Sequence, residues 1–306
     1  MLLGIVVQGE ITPGRISQLL QDRILNLKDS KGNLVYHRMK QTVGKAGPHT
    51  LIIFRVDHVY CDLYSLIGLF RVLFQTPLSM PIPSQKSRIS SWRKWKSILT
   101  LPSELSKMLT GNKYGVAFSH VIVSTANGTI ARALRNSGLE PPANLDADYV
   151  LPMPNHPGGF NAHMTQVKLE IPCNVKCAEE RLHRTQDIFK SLEGSFLPLT
   201  NYHCFNILTL TPLPILKPIL DGIYKSGHRY LLSNMSTSLT KEYADGLEMV
   251  DVFAIVSFSR EIGLYVANWG LNNKLRFNFI IDKSVFGDEA SAIKFASYFE
   301  EELKNL

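Results

Sequence analysis

The segment from Leu51 to Phe74 constrains the fold most, because its apolar residues change their period in the middle. Residues 51–56 are mainly aliphatic and β-branched, which is typical of a buried strand. From Tyr64 onward, the apolar residues recur with the spacing of a helix. The segment therefore predicts a strand followed by a helix, with His58 on the turn between them.

His58 has carboxylates nearby, since Asp57 precedes it and Asp62 follows four residues later. A histidine at a strand end, beside a carboxylate, can take a proton from a hydroxyl at neutral pH, which suits acyl transfer to an alcohol. A histidine beside an apolar run is also commonly a structural residue, and no serine or cysteine stands nearby in a nucleophile elbow. The local sequence leaves both interpretations open.

The size and composition of the chain predict two lobes and no membrane span. A chain of 306 residues with 45% hydrophobic content exceeds what one core usually supports. The formal charge of +7 favours phosphate-bearing ligands, nucleic acid or anionic lipid without choosing among them. The most apolar segment, residues 205–223, is interrupted by three prolines and a lysine, so no transmembrane helix is predicted. Residues 1–7 read as a strand rather than a signal peptide, and cytosolic exposure is the default expectation.

The cysteines and sequons predict neither a metal site nor glycosylation. Four cysteines in a chain of this length suit a reducing compartment. Cys173 and Cys177 have no second Cys or His pair at zinc spacing, and no metal or bound cofactor is predicted. The two triplets that begin at Asn127 and Asn234 fit the glycosylation pattern, and we interpret both as structural.

We divide the chain into a first lobe (1–83), a linker (84–111) and a second lobe (112–306). The linker is rich in basic residues and carries two tryptophans at helical spacing. This composition is typical of a helix in a lipid headgroup region, and equally of a helix whose tryptophans pack on protein. A third interpretation is contact with a nucleic-acid backbone. The residues concerned are Trp92, Arg93, Lys94, Trp95 and Lys96.

The second lobe mixes strands and helices. We predict helices at residues 121–135 and 288–306 from their amphipathic spacing. Strands are predicted at 149–154, 166–171, 230–233, 252–258, 264–269 and 274–282. Together with a strand and a helix at residues 1–25, this pattern predicts an α/β or α+β fold.

Several segments resemble motifs of the wax ester synthase/diacylglycerol acyltransferase (WS/DGAT) family, within the coenzyme A-dependent acyltransferases. The run from Asp57 to Leu66 resembles the family signature H-H-x-x-x-D-G-x-S-L. Residues 116–135 are similar to the V-N-D-V-L-L segment and its helix, and Leu232 to Thr237 to the L-S-N-V-P-G-P strand and turn. Residues 264–306 resemble the family's C-terminal end.

The resemblance implies two chloramphenicol-acetyltransferase-like lobes with a tunnel between them. His58 would occupy the position of the catalytic base, and Asp62 would support the motif through a charged hydrogen bond to an arginine. The reaction implied is acyl transfer from acyl-CoA, as co-substrate, to a fatty alcohol or diacylglycerol at a membrane or lipid-droplet surface. The cytosolic face of the plasma membrane or of the endoplasmic reticulum is the expected location, with no nucleic-acid partner. Substrate contacts are expected at Asp57, Ser119, His120, Ser233 and Asn234.

The same comparison shows departures from the family pattern. Asp57 replaces a histidine, Leu63 replaces a glycine, and Ser119-His120 stand where the family has Asn-Asp. A glycine in such a turn often serves a positive φ, so Leu63 is expected to be strained or to force another turn. The connection before Leu51 is short, and the first lobe is expected to be truncated. These departures favour a second hypothesis, a catalytically inactive relative that binds lipid or a partner. The sequence leaves the acceptor alcohol and the acyl-chain length open.

Overall fold

The structure, a computed structural model, describes most of the chain. The described residues are 1–28, 31–32, 40–46, 48–56, 61–76, 118–193, 195–208, 210–225, 229–238, 240–256, 262–283, 285–286 and 289–306. Two five-stranded sheets and seven helices form this part of the molecule. The mixed α/β fold predicted from the sequence is confirmed. Asp57, His58 and the basic segment from Trp92 to Lys96 lie outside the described residues.

The first sheet has the strand order β2-β3-β1-β8-β7, and every neighbouring pair is antiparallel. Its strands are β1 (Leu2–Gln8), β2 (Lys40–Ala46), β3 (His49–Arg55), β7 (Tyr243–Ala244) and β8 (Leu247–Ile255). β7 and β8 come from the part of the chain that we assigned to the second lobe. Because β1 is central in the sheet, its backbone groups need partners on both sides, and β8 supplies one side.

The second sheet has the order β10-β9-β6-β4-β5 and mixes parallel with antiparallel pairs. β6 runs parallel to both of its neighbours, β4 and β9, whereas the two edge strands are antiparallel. The strands are β4 (Asn144–Pro152), β5 (Met164–Pro172), β6 (Arg229–Thr237), β9 (Ile262–Leu271) and β10 (Lys274–Ile281). The predicted strands of the second lobe are thereby confirmed, with bounds shifted by a few residues.

Seven helices cover the sheets. They are α1 (Pro13–Leu20), α2 (Leu63–Phe74), α3 (Phe118–Asn136), α4 (Ala178–Glu193), α5 (Leu197–Leu208), α6 (Leu213–Lys225) and α7 (Glu289–Lys304). α1 begins where the Thr12 side chain accepts a hydrogen bond from Arg15 N at 3.2 Å, with Pro13 in the first turn. A short π-helical stretch, Gln21–Leu25, continues it. No helix in the described ranges is long and apolar enough to cross a membrane.

The sequence analysis missed β2 and the three helices between β5 and β6. α4 carried a usable signal, because its buried residues Leu182, Thr185, Phe189 and Leu192 are three or four apart. The turn before β8 also carried a sequence signal, since Asp-Gly is a common two-residue hairpin turn. In the structure, Asp245 and Gly246 both have positive φ, 51° and 82°. β2 offers no comparable alternation in its sequence, Lys40–Ala46.

Each sheet has its own hydrophobic core. The first packs β1, β3 and β8 against α1 and α2, and the second packs its sheet against α3, α4 and α7. Trp269 and Leu271 of β9 pack with the first core although their strand belongs to the second sheet. The two lobes therefore meet along β8 and β9, and the start of α2 lies at this junction.

Candidate active site

Asp62 is the best-defined residue of the predicted motif, and it caps helix α2. Its Oδ1 accepts hydrogen bonds from Ser65 N at 2.8 Å and from Ser65 Oγ at 3.1 Å. This is the geometry of an N-cap residue, which satisfies a backbone N–H that the helix itself leaves free. The predicted strand-to-helix turn is thus confirmed on its helical side, and Asp62 is 2% exposed.

Leu63 begins the helix without backbone strain. Asp62 has an extended conformation, with φ −101° and ψ −177°, and Leu63 is the first helical residue. Among the described non-glycine residues, those with positive φ are all elsewhere. Of the two expectations for this position, backbone strain is absent, and a turn that needs no positive φ at Leu63 agrees with the structure.

A loop of the second lobe holds Asp62 in place. Between β4 and β5, His156 Nε2 lies 3.1 Å from Asp62 Oδ1, and His163 N donates to Asp62 Oδ2 at 2.9 Å. Asn161 O accepts from Asp62 N at 3.3 Å and from Ser65 Oγ at 2.7 Å. Among the described residues, the ionisable side chain that contacts Asp62 is thus a histidine, whereas the resemblance implies an arginine.

These contacts govern the charge of Asp62. Burial by itself would raise the pKa of this carboxyl group. The hydrogen bond from His156, together with the N–H groups of Ser65 and His163, outweighs burial and holds the pKa below its ordinary value. Asp62 is therefore ionised at neutral pH. The sequence by itself gives this loop no role, since nothing local connects His156 with a carboxylate 94 residues earlier.

A cavity of about 290 Å³ lies where the lobes meet, at the start of α2. This volume is at the lower end of the range for small-molecule sites. Most of its lining is apolar, with contributions from both sheets. Its polar lining residues are Asp62, Tyr64, Gln166, Ser233, Asn234, Asn268 and Asn278. Leu63 also lines it, so the residue that replaces the family's glycine contributes to the wall.

One row of aligned residues across the second sheet forms much of the wall of this cavity. Strand register places Gln166, Val150, Ser233, Ala267 and Asn278 side by side on five strands. Because aligned residues of neighbouring strands project to the same face, all five line the cavity. The small side chains are on the two central positions, which leaves space in the middle of the sheet.

Asn234 lies in the next row, where Asn268 Nδ2 donates to its Oδ1 at 2.7 Å. Asn234 and Ser119 both interact with the hydroxyl of Tyr149, whose pKa burial raises to about 12. Tyr149 thus joins two predicted site residues from different elements. Ser119 itself is buried in the first turn of α3 and is not among the residues that line the cavity.

His120 does not reach the cavity. It is buried in α3, and its ring lies 4.6 Å from the ring of Phe189, measured between centroids. Burial, with a smaller contribution from Lys190, lowers the pKa of His120 to about 4, so its ring is neutral at physiological pH. Its predicted role in substrate contact is not supported by this position, because α4 separates it from solvent with Phe189.

The remaining candidate positions are structural. Asn127 is buried in α3, where its Nδ2 donates to Tyr230 Oη at 2.6 Å. Cys173 is buried and Cys177 is exposed, and the described residues contain no group of three potential metal ligands. Asn127 is therefore inaccessible to a glycosylating enzyme in the folded protein.

Comparison with solved structures defines the fold class. A wax ester synthase/diacylglycerol acyltransferase from Marinobacter aquaeolei VT8 superimposes with a TM-score of 0.59 at 12% identity, covering 100% of this chain and 93% of that chain. The first condensation domain of the CDA synthetase gives 0.55 at 10% identity, over 99% and 89%. A mutant starter condensation domain of rhizomide synthetase RzmA, in complex with C8-CoA and Leu-SNAC, gives 0.56 at 8%, over 99% and 88%. The two-lobe fold is that of these condensation-domain-like structures.

The family follows from the C-terminal half of the chain. Residues 162–306 match the family model described as the WS/DGAT C-terminal domain. This part of the chain matches the WS/DGAT family of acyltransferases, and the resemblance predicted from the motifs is confirmed over these residues. A search of curated protein sequences found no match.

Proposed function

We propose that this protein transfers a fatty acyl group from acyl-CoA to a long-chain alcohol or diacylglycerol, with His58 as general base. The observation that carries the proposal is that Asp62, the carboxylate of the motif, borders a mainly apolar cavity at the lobe junction. Entry of an acyl chain into such a cavity is favourable, because its apolar surface is removed from water. A few polar groups at the same site would orient the ester-forming end.

The chain on either side of His58 supports its place in this proposal. His58 lies two residues from Val56 and four from Asp62. Val56 exchanges two backbone hydrogen bonds with Met1, at 3.0 and 3.1 Å, and both Met1 and Asp62 line the cavity. The described residues on both sides of residues 57–60 thus lie at the cavity or beside a residue that lines it.

In the proposed reaction, His58 takes the proton of the acceptor hydroxyl, and the oxygen attacks the thioester carbonyl. The tetrahedral oxyanion then collapses, the carbon–sulfur bond breaks, and the proton passes to the leaving thiolate of coenzyme A. The products are an ester and free coenzyme A. No covalent intermediate on the protein is needed, and Asp62 keeps the turn in place without touching substrate.

The test is ester formation by purified protein from labelled palmitoyl-CoA with hexadecanol or with dioleoylglycerol. The wild type is expected to form labelled ester, and His58→Ala is expected to lose this activity. The exposed His183, on α4 and remote from the cavity, provides the matched control His183→Ala, which should keep wild-type activity. Equal product from wild type and His58→Ala would refute the role of the base.

Leu63 favours a second candidate function, an inactive relative that binds acyl-CoA or lipid. Its side chain lines a cavity that the family's glycine would leave wider. Calorimetric titration with palmitoyl-CoA separates the two functions. Binding without any ester formation, with either acceptor, would support the inactive relative and refute the enzyme.

We also propose that the protein works at a membrane or lipid-droplet surface. Large exposed apolar side chains are concentrated in and beside α5 and α6, which we call the apolar helix surface. They are Phe196, Leu197, Phe205, Ile207, Leu210, Leu213, Ile215 and Ile219. Such a cluster is unusual on a protein that meets only water and suits helices that lie in a lipid interface. α5 also adjoins the cavity wall, because Asn201 Nδ2 donates to Gln166 O at 2.9 Å.

Flotation with phosphatidylcholine–phosphatidylserine liposomes tests this location. The combined variant Ile207→Ser, Leu210→Ser, Leu213→Ser is expected to float less than the wild type. Leu139→Ser removes an exposed leucine elsewhere and should float like the wild type. Unchanged flotation of the combined variant would exclude the apolar helix surface as the contact.

A further inference from the structure

The loop between β4 and β5 fastens the second lobe to the motif turn of the first lobe. His156, Asn161 and His163 make hydrogen bonds to Asp62 and Ser65 at the start of α2. Asn161 N also donates to Ser65 Oγ at 3.2 Å, so the contact runs in both directions. His156 is the residue of this loop whose side chain reaches the carboxylate, and it is 5% exposed.

The protonation of His156 follows from its backbone contact. Gly158 N donates to His156 Nδ1 at 3.0 Å, so Nδ1 presents a lone pair and the ring proton of the neutral histidine is on Nε2. Among the described residues, the acceptor nearest to Nε2 is Asp62 Oδ1 at 3.1 Å, and Ser65 Oγ and Asn161 O are each at 3.3 Å. The ring therefore donates to the carboxylate in a single, preset tautomer.

The same geometry excludes a serine nucleophile at this place. In a catalytic triad, one ring nitrogen faces the serine and the other faces the carboxylate. Here Nε2 faces both Ser65 and Asp62, and Nδ1 is occupied by Gly158 N. Ser65 Oγ, moreover, donates at 2.7 Å to Asn161 O. Ser, His and Asp are thus close together without the arrangement that would activate the hydroxyl.

Asp62 depends on this histidine for a full set of donors. Its other donors are the backbone N–H groups of Ser65 and His163. A buried carboxylate that loses a donor is left with an uncompensated charge and must shift or take up a proton. Asp62 is four residues after the proposed base, His58.

We propose that His156 is a positioning residue, which holds Asp62 and thereby keeps the His58 segment in its reactive geometry. It would take the part that an arginine takes in the resemblance, but from the opposite lobe. This places the geometry of the motif under the control of the contact between the lobes. The kinetic consequence of this role rests on the proposed acyltransferase activity. The hydrogen bond between His156 and Asp62 rests on the structure alone.

Three variants test the kinetic consequence. His156→Phe removes the N–H donor, and a displacement of the base of about 1 Å should lower kcat on the order of 10²-fold, with little change in KM for palmitoyl-CoA. His156→Gln carries an N–H group the same number of bonds from the backbone and should recover part of kcat. The exposed His183→Gln is the control and should behave like the wild type. Wild-type kcat in folded His156→Phe, or no difference between the Phe and Gln variants, would overturn the proposal.

A second measurement does not depend on turnover. Nitrogen-15 NMR of the histidine side chains should show the neutral form of His156 as the Nε2–H tautomer, with a resonance that moves in Asp62→Asn. A ring that carries its proton on Nδ1, or one that ignores Asp62→Asn, would overturn the proposal even in an inactive protein. If the wild type forms no ester while the NMR signature is present, the proposed function fails and the His156 contact stands.

Discussion

Gly128 in α3 is expected to tolerate no side chain, and the substitution Gly128→Ala tests how α3, α4 and α7 are joined. A methyl group at this position would clash with Arg181 Nη2 and Glu302 Oε2, because both atoms are closer than van der Waals contact allows. These two groups form a buried ion pair at 2.6 Å between α4 and α7. The arginine cannot swing aside freely, because its Nε also donates to Ser124 O at 2.8 Å.

The size of the effect follows from two opposing contributions. Alanine in place of glycine inside a helix normally gains about 1 kcal/mol. Rupture of a buried ion pair costs about 3–5 kcal/mol, because one charge loses its partner away from water. The side chains of Arg181 and Glu302 are 6% and 10% exposed, so solvent screens this pair little. The balance predicts a net loss of about 2–4 kcal/mol in the free energy of unfolding.

Urea denaturation followed by tryptophan fluorescence measures this loss. Gly222 in α6 provides the matched control, because a methyl group there would meet nothing within 4 Å. Gly222→Ala should therefore be neutral or stabilising, by up to about 1 kcal/mol. A stabilised Gly128→Ala protein would show that helix propensity outweighs the close approach of Arg181, and would refute the reasoning.

Three further outcomes are expected. The folded-state pKa of Asp62 is below its unfolded value of about 3.9, so its contribution to stability is complete at neutral pH and is lost as the pH falls through the folded pKa; Asp62→Asn should remove this part of the pH dependence in urea titrations. Ellman's reagent should modify the exposed Cys177 and Cys204 quickly, while Cys173, whose pKa burial raises to about 11, reacts after unfolding; fast labelling of Cys173 would contradict its burial. Leu63→Gly should widen the cavity and strengthen palmitoyl-CoA binding in calorimetry, at a loss of roughly 1 kcal/mol in stability; weaker binding would show that the Leu63 side chain contacts the acyl chain.

Much of the fold was predictable from local patterns. The apolar period changes at the motif because a buried strand and an amphipathic helix follow one another there, and the structure has β3 and α2 at these positions. α4 was missed although its buried residues have helical spacing, and β2 was missed because its residues do not alternate. The assignment of β8 to the first sheet had no local signal, since it depends on which strand edge is open when the lobes assemble.

The candidate site divides in the same way. The cap of α2 is a contact between Asp62 and Ser65, three residues apart, and such contacts follow from residue type and spacing. The partner of Asp62 is His156, 94 residues later in the chain, and the cavity wall joins residues of five strands by register. The first contact exists because two lobes pack together, and the second because five strands align in one sheet. Contacts between such distant segments leave no periodic trace in either one. Motif spacing was therefore enough to identify the acyltransferase family and the carboxylate that caps the helix, whereas the histidine that holds this carboxylate could be found only from the folded chain.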